Sequence, residues 1–286
     1  MARVQRATAE LGPDRSLHAV ISGAGPDIVL VHGGLATHQD WLCGPFQRIA
    51  QLGRTLAIDR PGHGNSRRPR LDLEIHQQAD LVLEGLEMQG VRQAVLVAHS
   101  FGTRLALALA ERHPHLIAHL ILVAPAAFRE FRPLEHSLIL PRATPVLGPA
   151  FSTSVPPLFD RAWIEAVHQL MFAPRVPPPE WRAHYPWDLI LDRERMTAEG
   201  EDFGELHPLS MLPDIKHRRV TVPTTIISGM ADLIVDPRSQ AERLTDLIDA
   251  RFVPVAGEGH MVHHSRPDLL LEIIAGTLAN VAPVSA

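Results

Sequence analysis

The amino-acid sequence predicts an α/β protein whose doubly wound, mostly parallel β-sheet is covered by helices on both faces. The chain has 286 residues, 45% of them hydrophobic, which is enough for one sizeable buried core. Short runs rich in Val, Ile and Leu alternate with longer segments of helical periodicity. Because these runs are continuously apolar, both faces of each strand are expected to be buried, as in a parallel sheet between helices.

Six strands of this buried type are predicted along the chain. They are residues 27–31 (DIVLV), 55–58 (TLAI), 94–97 (AVLV), 119–123 (HLILV), 224–228 (TTIIS) and 251–255 (RFVPV). Residues 17–21 are expected to add an antiparallel strand at the start. Composition and apolar spacing predict helices at residues 77–88, 101–112, 239–247 and 267–281.

One long segment departs from this alternation. Residues 126–220 are rich in proline and aromatic residues and show no clear strand, and their helical stretches, such as residues 162–171, are short. An insertion after a strand of an α/β sheet lies over the carboxyl edge, where ligands bind. We therefore expect a core of residues 1–125 and 221–286 and a mainly helical cap of residues 126–220. The alternative is a long irregular excursion with no role in substrate selection.

Composition limits the classes of function. The net charge of −5 predicts no basic surface for nucleic acid. Cys43 is the single cysteine, so an intrachain disulfide and a thiolate metal cluster are excluded. The sequence shows neither an apolar run of about 18 residues nor an apolar stretch at its start, which predicts no membrane span and no secretory signal. We expect a cytoplasmic protein that acts on a small molecule; its oligomeric state stays open.

The strongest local motif places a serine between a buried strand and a helix. Residues 95–103 read VLVAHSFGT, so Ser100 lies in a small-x-Ser-x-Gly turn. The small residues Ala98 and Gly102 allow the strand and helix backbones to approach closely. The helix N-terminus then faces the negative charge that develops when the hydroxyl attacks a carbonyl.

Two further motifs follow strands upstream of this serine. Residues 29–35 (VLVHGGL) end a strand in a His-Gly turn, and Trp41 follows. Residues 57–66 (AIDRPGHGNS) follow the next strand with the pattern D-x-x-G-x-G-x-S. Three such motifs in this order carry more information than any one of them.

In these motifs the chain resembles the serine-nucleophile branch of the α/β-hydrolase family. Ser100 matches the nucleophile elbow of the family, with Ala98 where Gly is usual. The His-Gly turn matches the oxyanion loop, which implies the backbone N–H groups of Gly34 and Phe101 as oxyanion donors, with Leu35 as an alternative to Gly34. The D-x-x-G-x-G-x-S segment resembles a mainly structural turn of the family, so its Asp and His are not predicted to be catalytic.

The resemblance also implies the acid and the base that Ser100 needs, because a serine hydroxyl at its normal pKa is a poor nucleophile. The family's chain order is Ser, then Asp or Glu, then His. Asp232 follows the strand at 224–228 in a G-x-x-D turn and is the predicted acid. His260 follows the last strand in a Gly-His turn and is the predicted base.

Neighbouring residues offer rivals for these two roles. Asp236 is the rival acid, although it more plausibly caps the helix that starts near Pro237. His263 and His264 fall beyond the Gly-His turn and are expected at a helix entry or on the surface. No cysteine or suitably spaced carboxylate completes a ligand set with them, so no metal site is predicted here.

The implied chemistry is acyl transfer by Ser100, His260 and Asp232, which requires no cofactor and no metal. Haloalkane dehalogenases and epoxide hydrolases of this fold use Asp at the elbow, so Ser100 argues against alkyl-enzyme chemistry. The apolar composition of residues 126–220 favours hydrolysis of a carboxylic ester with a small to medium, largely apolar substrate. The alternatives are a C–C bond hydrolase of a ring-cleavage dienoate, a lactonase, a cofactor-free haloperoxidase and a ligand-binding receptor.

A dienoate carries a carboxylate and needs a cationic partner. Three arginines are candidates: Arg104 just beyond the elbow, and Arg129 and Arg132 at the start of the cap segment. Arg104 is equally expected on a helix surface, and the two others are equally expected in solvent. The sequence therefore leaves the substrate open between neutral and anionic compounds.

Overall fold

The computed structural model describes residues 4–70, 72–144, 147–155 and 157–280, and an eight-stranded sheet runs through them. The strands are β1 (Gln5–Glu10), β2 (Ser16–Ser22), β3 (Asp27–Val31), β4 (Arg54–Ile58), β5 (Ala94–His99), β6 (Ile117–Val123), β7 (Thr224–Gly229) and β8 (Ala250–Val255). Their spatial order is β1-β2-β4-β3-β5-β6-β7-β8. The β1–β2 and β2–β4 pairs are antiparallel and the other pairs are parallel, which confirms the predicted mostly parallel α/β sheet.

Burial on both faces explains why the central strands are continuously apolar. In β3, Val29 and Val31 pack into one hydrophobic cluster, whereas Ile28 and Leu30 pack into the cluster on the opposite face. Successive side chains of a strand point to opposite faces, so the two clusters lie on the two sides of the sheet. The helices that complete these clusters make the sheet doubly wound, as predicted.

The strand β1 was not predicted. Its sequence, QRATAE, is polar, and most of its residues are exposed at the edge of the sheet. It pairs with β2 from the Gln5–Ile21 pair to the Glu10–Ser16 pair. Such an edge strand is stabilised by backbone pairing rather than by burial, so hydrophobic periodicity does not reveal it.

The helices predicted at 77–88, 101–112 and 267–281 are present, whereas two short helices after β3 were not predicted. Before β6 lie α1 (Gln39–Leu42), α2 (Phe46–Ile49), α3 (Ile75–Met88) and α4 (Gly102–Arg112). Between β6 and β7 lie α5 (Pro133–Leu138), α6 (Leu147–Ser154), α7 (Pro157–Phe172), α8 (Pro179–His184), α9 (Trp187–Ile190) and α10 (Arg193–Leu206). After β7 come α11 (Arg243–Thr245), α12 (Val262–Ser265) and α13 (Pro267–Asn280). The helix predicted at 239–247 is a π-helical turn (Arg238–Glu242) continued by α11, and position 281 lies outside the described residues.

Residues 124–223, called the β6–β7 segment below, contain helices and no strand in their described part. Two of these helices, with 16 and 14 residues, are longer than the short stretches that were expected. Trp163 and Phe203 of the segment pack in one hydrophobic cluster with Leu35, Phe101 and Met261. Since Leu35, Phe101 and Met261 follow the carboxyl ends of β3, β5 and β8, the segment lies over that edge of the sheet.

Charged side chains also hold this segment on the core. The helix α10 buries four carboxylates: Glu199, Glu201, Asp202 and Glu205. Their partners are guanidinium groups of Arg60, Arg68, Arg104 and Arg129. In the part of the chain that the structure describes, no helix is long and apolar enough to cross a membrane.

Candidate active site

Ser100 lies in a tight turn between β5 and α4. Its φ of 51° is in the left-handed region, which is uncommon for a residue with a β-carbon. The Ser100 N–H donates to the carbonyl of Val123 (2.9 Å), and its carbonyl accepts from the N–H of Thr103 (3.0 Å). A β-carbon at Gly102 would lie 2.4 Å from the carbonyl oxygen of His32, so glycine is required there. The turn therefore has the geometry that the elbow motif predicts.

Asp232 and His260 meet at the same edge, after β7 and β8. The His260 Nδ1–H donates to Asp232 Oδ2 at 2.7 Å. The other carboxylate oxygen, Oδ1, accepts from the N–H groups of Ile234 (2.7 Å) and Val235 (2.9 Å). With the proton on Nδ1, the Nε2 of His260 is an acceptor. His260 and Ser100 line the same cavity of about 40 Å³.

Asp236, the rival acid, has a local role. Its Oδ1 accepts from the N–H of Arg238 (3.3 Å) and its Oδ2 accepts from the N–H of Ser239 (3.2 Å). These are the hydrogen bonds of a helix cap, as the sequence indicated. The carboxylate that contacts His260 is that of Asp232.

The loop after β3, where the oxyanion donor is predicted, is held by several polar contacts. The carbonyl of Gly33 accepts from His32 Nδ1–H (2.9 Å) and from Arg60 (3.2 Å). The N–H of Leu35 donates to Glu199 Oε1 at 2.8 Å, so it is already engaged. Among the described residues, the N–H groups of Gly34 and Phe101 have no hydrogen-bond partner. Both residues line the cavity with Ser100. The geometry favours Gly34 over Leu35 as a donor.

The cavity at Ser100 is mostly apolar. Its lining comprises Gly34, Leu35, Ser100, Phe101, Ala126, Arg132, Val167, Met171, Phe203, Leu206, Ile234 and His260. Arg132 donates to the carbonyl of Ile234 at 3.2 Å, and its Nη2 lies 3.6 Å from Glu130 Oε2. Arg104 is fully buried and bonded to Glu205 and Asp214, so the alternative that it lies on a helix surface was wrong.

A buried group of imidazoles lies behind His260. Asp40 accepts from His263 (2.9 Å), His264 (2.8 Å) and the indole of Trp181 (3.0 Å). The expectation that His263 and His264 lie at a helix entry is confirmed by α12, but the surface alternative was wrong, because their side chains are buried.

The ring of His99 connects this group to His260, since its centroid lies 4.3 Å from that of His263. The ring of His99 lies 4.7 Å from that of His260, and its Nε2–H donates to the carbonyl of His260 at 3.2 Å. Burial holds the pKa of His99 well below its usual value, and burial lowers the pKa of His263 to about 4. The rings of His99 and His263 are therefore neutral at pH 7.

Two buried groups have residue types that bind metals, with ligand atoms within 4.8 Å of one another. They are His18, His38 and Asp59 in one place and Asp40, His99 and His263 in another. In each group a hydrogen bond of 2.9 Å explains why the ligand atoms lie close together: His38 bonds to Asp59 in the first, and His263 bonds to Asp40 in the second. The carboxylate of Asp59 also accepts from the N–H of Asn65 at 2.9 Å, which agrees with the structural role predicted for its turn.

Comparison with known proteins identifies the family. A model of the alpha/beta hydrolase family matches residues 28–273. The chain belongs to the alpha/beta hydrolase family. It is 25% identical to a haloalkane dehalogenase of Mesorhizobium japonicum, over 94% of this chain and 89% of that protein. It is 26% identical to a 2-(acetamidomethylene)succinate hydrolase of the same organism, over 88% of this chain and 87% of that protein.

Solved structures agree with this assignment. The epoxide hydrolase CorEH superimposes on this alpha/beta hydrolase with a TM-score of 0.79, covering 98% of this chain and 100% of its own, at 18% identity. At that identity the likeness shows the fold alone. The names of the relatives denote different reactions, so the chain is identified as a hydrolase by its family and its substrate is argued from its own site.

Proposed function

We propose that this alpha/beta hydrolase is a serine hydrolase that cleaves a carboxylic ester of a small to medium, largely apolar substrate. The observation that carries the proposal is the 2.7 Å hydrogen bond from His260 to Asp232. It leaves Nε2 of the imidazole as an acceptor at the cavity that Ser100 also lines. An unprotonated imidazole nitrogen and a serine hydroxyl at one cavity are the groups that acyl transfer requires.

In the proposed mechanism Ser100 Oγ attacks the ester carbonyl while His260 Nε2 accepts the hydroxyl proton. The N–H groups of Gly34 and Phe101 stabilise the oxyanion of the tetrahedral intermediate. Collapse of the intermediate breaks the C–O bond, and His260 returns the proton to the departing alcohol. A water molecule, deprotonated by His260, then attacks the acyl-enzyme. The bond from the acyl carbon to Ser100 Oγ breaks, His260 returns the proton to that oxygen, and the acid is released. Asp232 stabilises the imidazolium in both halves of the reaction.

The substrate class is inferred from the cavity and from the β6–β7 segment. That segment contributes Val167, Met171 and Phe203 to the lining, and it is the part we propose to act as a cap that selects the substrate. Ser100 itself argues against the alkyl-enzyme chemistry that the name of the dehalogenase relative denotes. Hydrolysis of a lactone is the same chemistry with the leaving group tethered, and it remains within the proposal.

Arg132 favours a second candidate, hydrolysis of a substrate that carries a carboxylate. Of the three arginines considered from the sequence, it alone lines the described cavity. Its guanidinium is polar and charged in a lining that is otherwise largely apolar. The relative named as a succinate-derivative hydrolase also acts on an anionic compound. The carboxylate of Glu130 lies 3.6 Å from Arg132 and would compete with the carboxylate of such a substrate for the guanidinium.

The test is hydrolysis of a chain-length series of p-nitrophenyl esters by the wild type and by Ser100→Ala. Loss of the nucleophile is expected to lower turnover by about a millionfold. The series includes a matched pair, p-nitrophenyl butyrate and mono-p-nitrophenyl succinate, which have acyl chains of equal length and differ in charge.

Activity that peaks at one neutral chain length and disappears in Ser100→Ala would support the first proposal. Faster turnover of the succinate ester than of the butyrate ester would favour the second candidate. Activity that survives in Ser100→Ala would exclude Ser100 as nucleophile. No turnover of any ester by the wild type would overturn the ester proposal and favour the C–C hydrolase and receptor alternatives.

A further inference from the structure

Leu35, next to the proposed donor Gly34, has an unusual backbone conformation. Its φ is 49°, in the left-handed region, and the residue is buried. This conformation is unfavourable for a side chain with a β-carbon and persists only where the surroundings hold it. Both backbone polar groups of Leu35 are in fact bound by side chains from the β6–β7 segment.

The first contact is made by Glu199 of α10. Its Oε1 accepts from the N–H of Leu35 at 2.8 Å. Its Oε2 lies 3.2 Å from His63 Nδ1 and 3.5 Å from the guanidinium of Arg60. A carboxylate beside the loop opposes the negative charge of an oxyanion, and the guanidinium of Arg60, which Glu199 shares with Asp202, offsets part of this effect.

The second contact is made by Tyr185, between α8 and α9. Its hydroxyl donates to the carbonyl of Leu35 at 2.6 Å. Burial, followed by the charges of Glu199 and Asp40, holds the pKa of Tyr185 well above its usual value. The phenol therefore keeps its proton and remains a donor.

A third contact fixes the preceding peptide from the core side. The carbonyl of Gly33 accepts from His32 and Arg60. In a trans peptide the C=O and the following N–H point in opposite directions, so these bonds direct the N–H of Gly34 away from Arg60. Three successive peptide groups are thus held. The peptide of residues 33–34 is bound by the core, and those of residues 34–35 and 35–36 are bound by the β6–β7 segment.

We propose that Glu199 and Tyr185 are positioning residues that hold Leu35 and thereby set the orientation of the oxyanion donor Gly34. The oxyanion hole then takes its working shape from the docked β6–β7 segment as well as from the core. The segment contributes to the chemical step as well as to substrate selection. The catalytic part of this proposal rests on the proposed function; the structural part does not.

The kinetic test uses Tyr185→Phe, which removes the hydroxyl and keeps the ring. We expect kcat for the best p-nitrophenyl ester to fall about tenfold with KM nearly unchanged, because a misplaced donor weakens only the transition state. Binding of an alkyl trifluoromethyl ketone, which forms an oxyanion with the serine, should weaken by a similar factor. Glu199→Ala should lower kcat more than Glu199→Gln, which retains an acceptor for the N–H of Leu35.

The matched control is Thr197→Val, in the same helix as Glu199. The Thr197 hydroxyl donates to the carbonyl of Arg193 (2.9 Å) and does not contact the loop. It should leave kcat and inhibitor binding at wild-type values. If Thr197→Val and Tyr185→Phe lower kcat equally, or if Tyr185→Phe raises KM alone, the positioning role is excluded.

Amide hydrogen exchange separates this proposal from the proposed function. Exchange in a peptide that covers residues 33–36 should be faster in Tyr185→Phe and in Glu199→Ala than in the wild type and in Thr197→Val. Unchanged exchange there would overturn the proposal even if kcat fell. If the wild type hydrolyses no ester, the proposed function fails, while the exchange measurement still decides whether these two side chains hold the loop.

Discussion

At the scale of single residues, the two oxygens of the Asp232 carboxylate have different tasks. Oδ1 accepts two backbone N–H groups, which fix the side chain, and Oδ2 accepts the Nδ1–H of His260. The carboxylate is buried, so its attraction for an imidazolium is little screened by water. The tautomer and the orientation of the proposed base therefore depend on the Asp232 side chain.

Replacement of Asp232 by Asn should lower kcat by about ten-thousandfold, because the amide favours the wrong imidazole tautomer and carries no charge. Steady-state kinetics on the best p-nitrophenyl ester measure the effect. The matched control is Asp236→Asn, whose side chain is exposed and only caps a helix turn, and it should change kcat less than twofold. A larger loss in Asp236→Asn than in Asp232→Asn would reverse the assignment of the acid.

At the scale of elements, α10 is attached to the core by buried ion pairs. Arg104 on α4 is fully buried and donates to both oxygens of Glu205, at 2.7 and 2.6 Å. It also donates to Asp214 (2.7 Å) and to the carbonyl of Ala127 (2.9 Å). A guanidinium with this many partners stabilises the docked segment and is not free to bind a substrate.

Arg104→Met should therefore reduce the free energy of unfolding by about 3 kcal/mol, because it leaves a buried carboxylate with an incomplete set of partners. Urea denaturation measures the change. As a control, Glu165→Gln removes the charge from an exposed pair with Arg161, four residues away on α7, and should cost about 0.5 kcal/mol or less. Equal effects of the two substitutions would show that the Arg104 pair contributes no more than a surface pair.

At the scale of the whole molecule, buried histidines link stability to pH. Burial lowers the pKa of His32 and of His168 to about 3, and that of His263 to about 4. His168, on α7, packs against Trp181 and Tyr185, and its Nε2 has no partner among the described residues. In the unfolded chain each imidazole takes up a proton near its ordinary pKa of about 6.5.

The unfolded state thus binds more protons than the folded state between pH 6.5 and about 4, so stability must fall as the pH falls through this range. Each such histidine contributes a slope of up to about 1.4 kcal/mol per pH unit. Urea denaturation at pH 7, 6 and 5 should show a progressive loss, and His168→Leu should make it smaller. Stability that is independent of pH between 6.5 and 4.5 would contradict the neutral, buried state of these rings.

The sequence by itself determined those features that depend on residues near one another in the chain. The continuously apolar runs predict the parallel strands, because each residue of such a strand is buried whichever face it points to. Ser100 and the turns that precede Asp232 and His260 follow strand ends, and parallel strands bring their carboxyl ends to one edge. The proposed catalytic residues could therefore be named from order and spacing, and their catalytic roles stay predictions.

Only the tertiary structure decided which polar side chains are buried and what they contact. Glu199 and Tyr185 contact Leu35 across 164 and 150 positions of the chain, and no motif marks either of them. His264 and Arg104 read equally well as surface residues until their carboxylate partners are placed beside them. The physical reason is that burial of a polar group is tolerated only with its partners, and partners distant in sequence leave no local pattern.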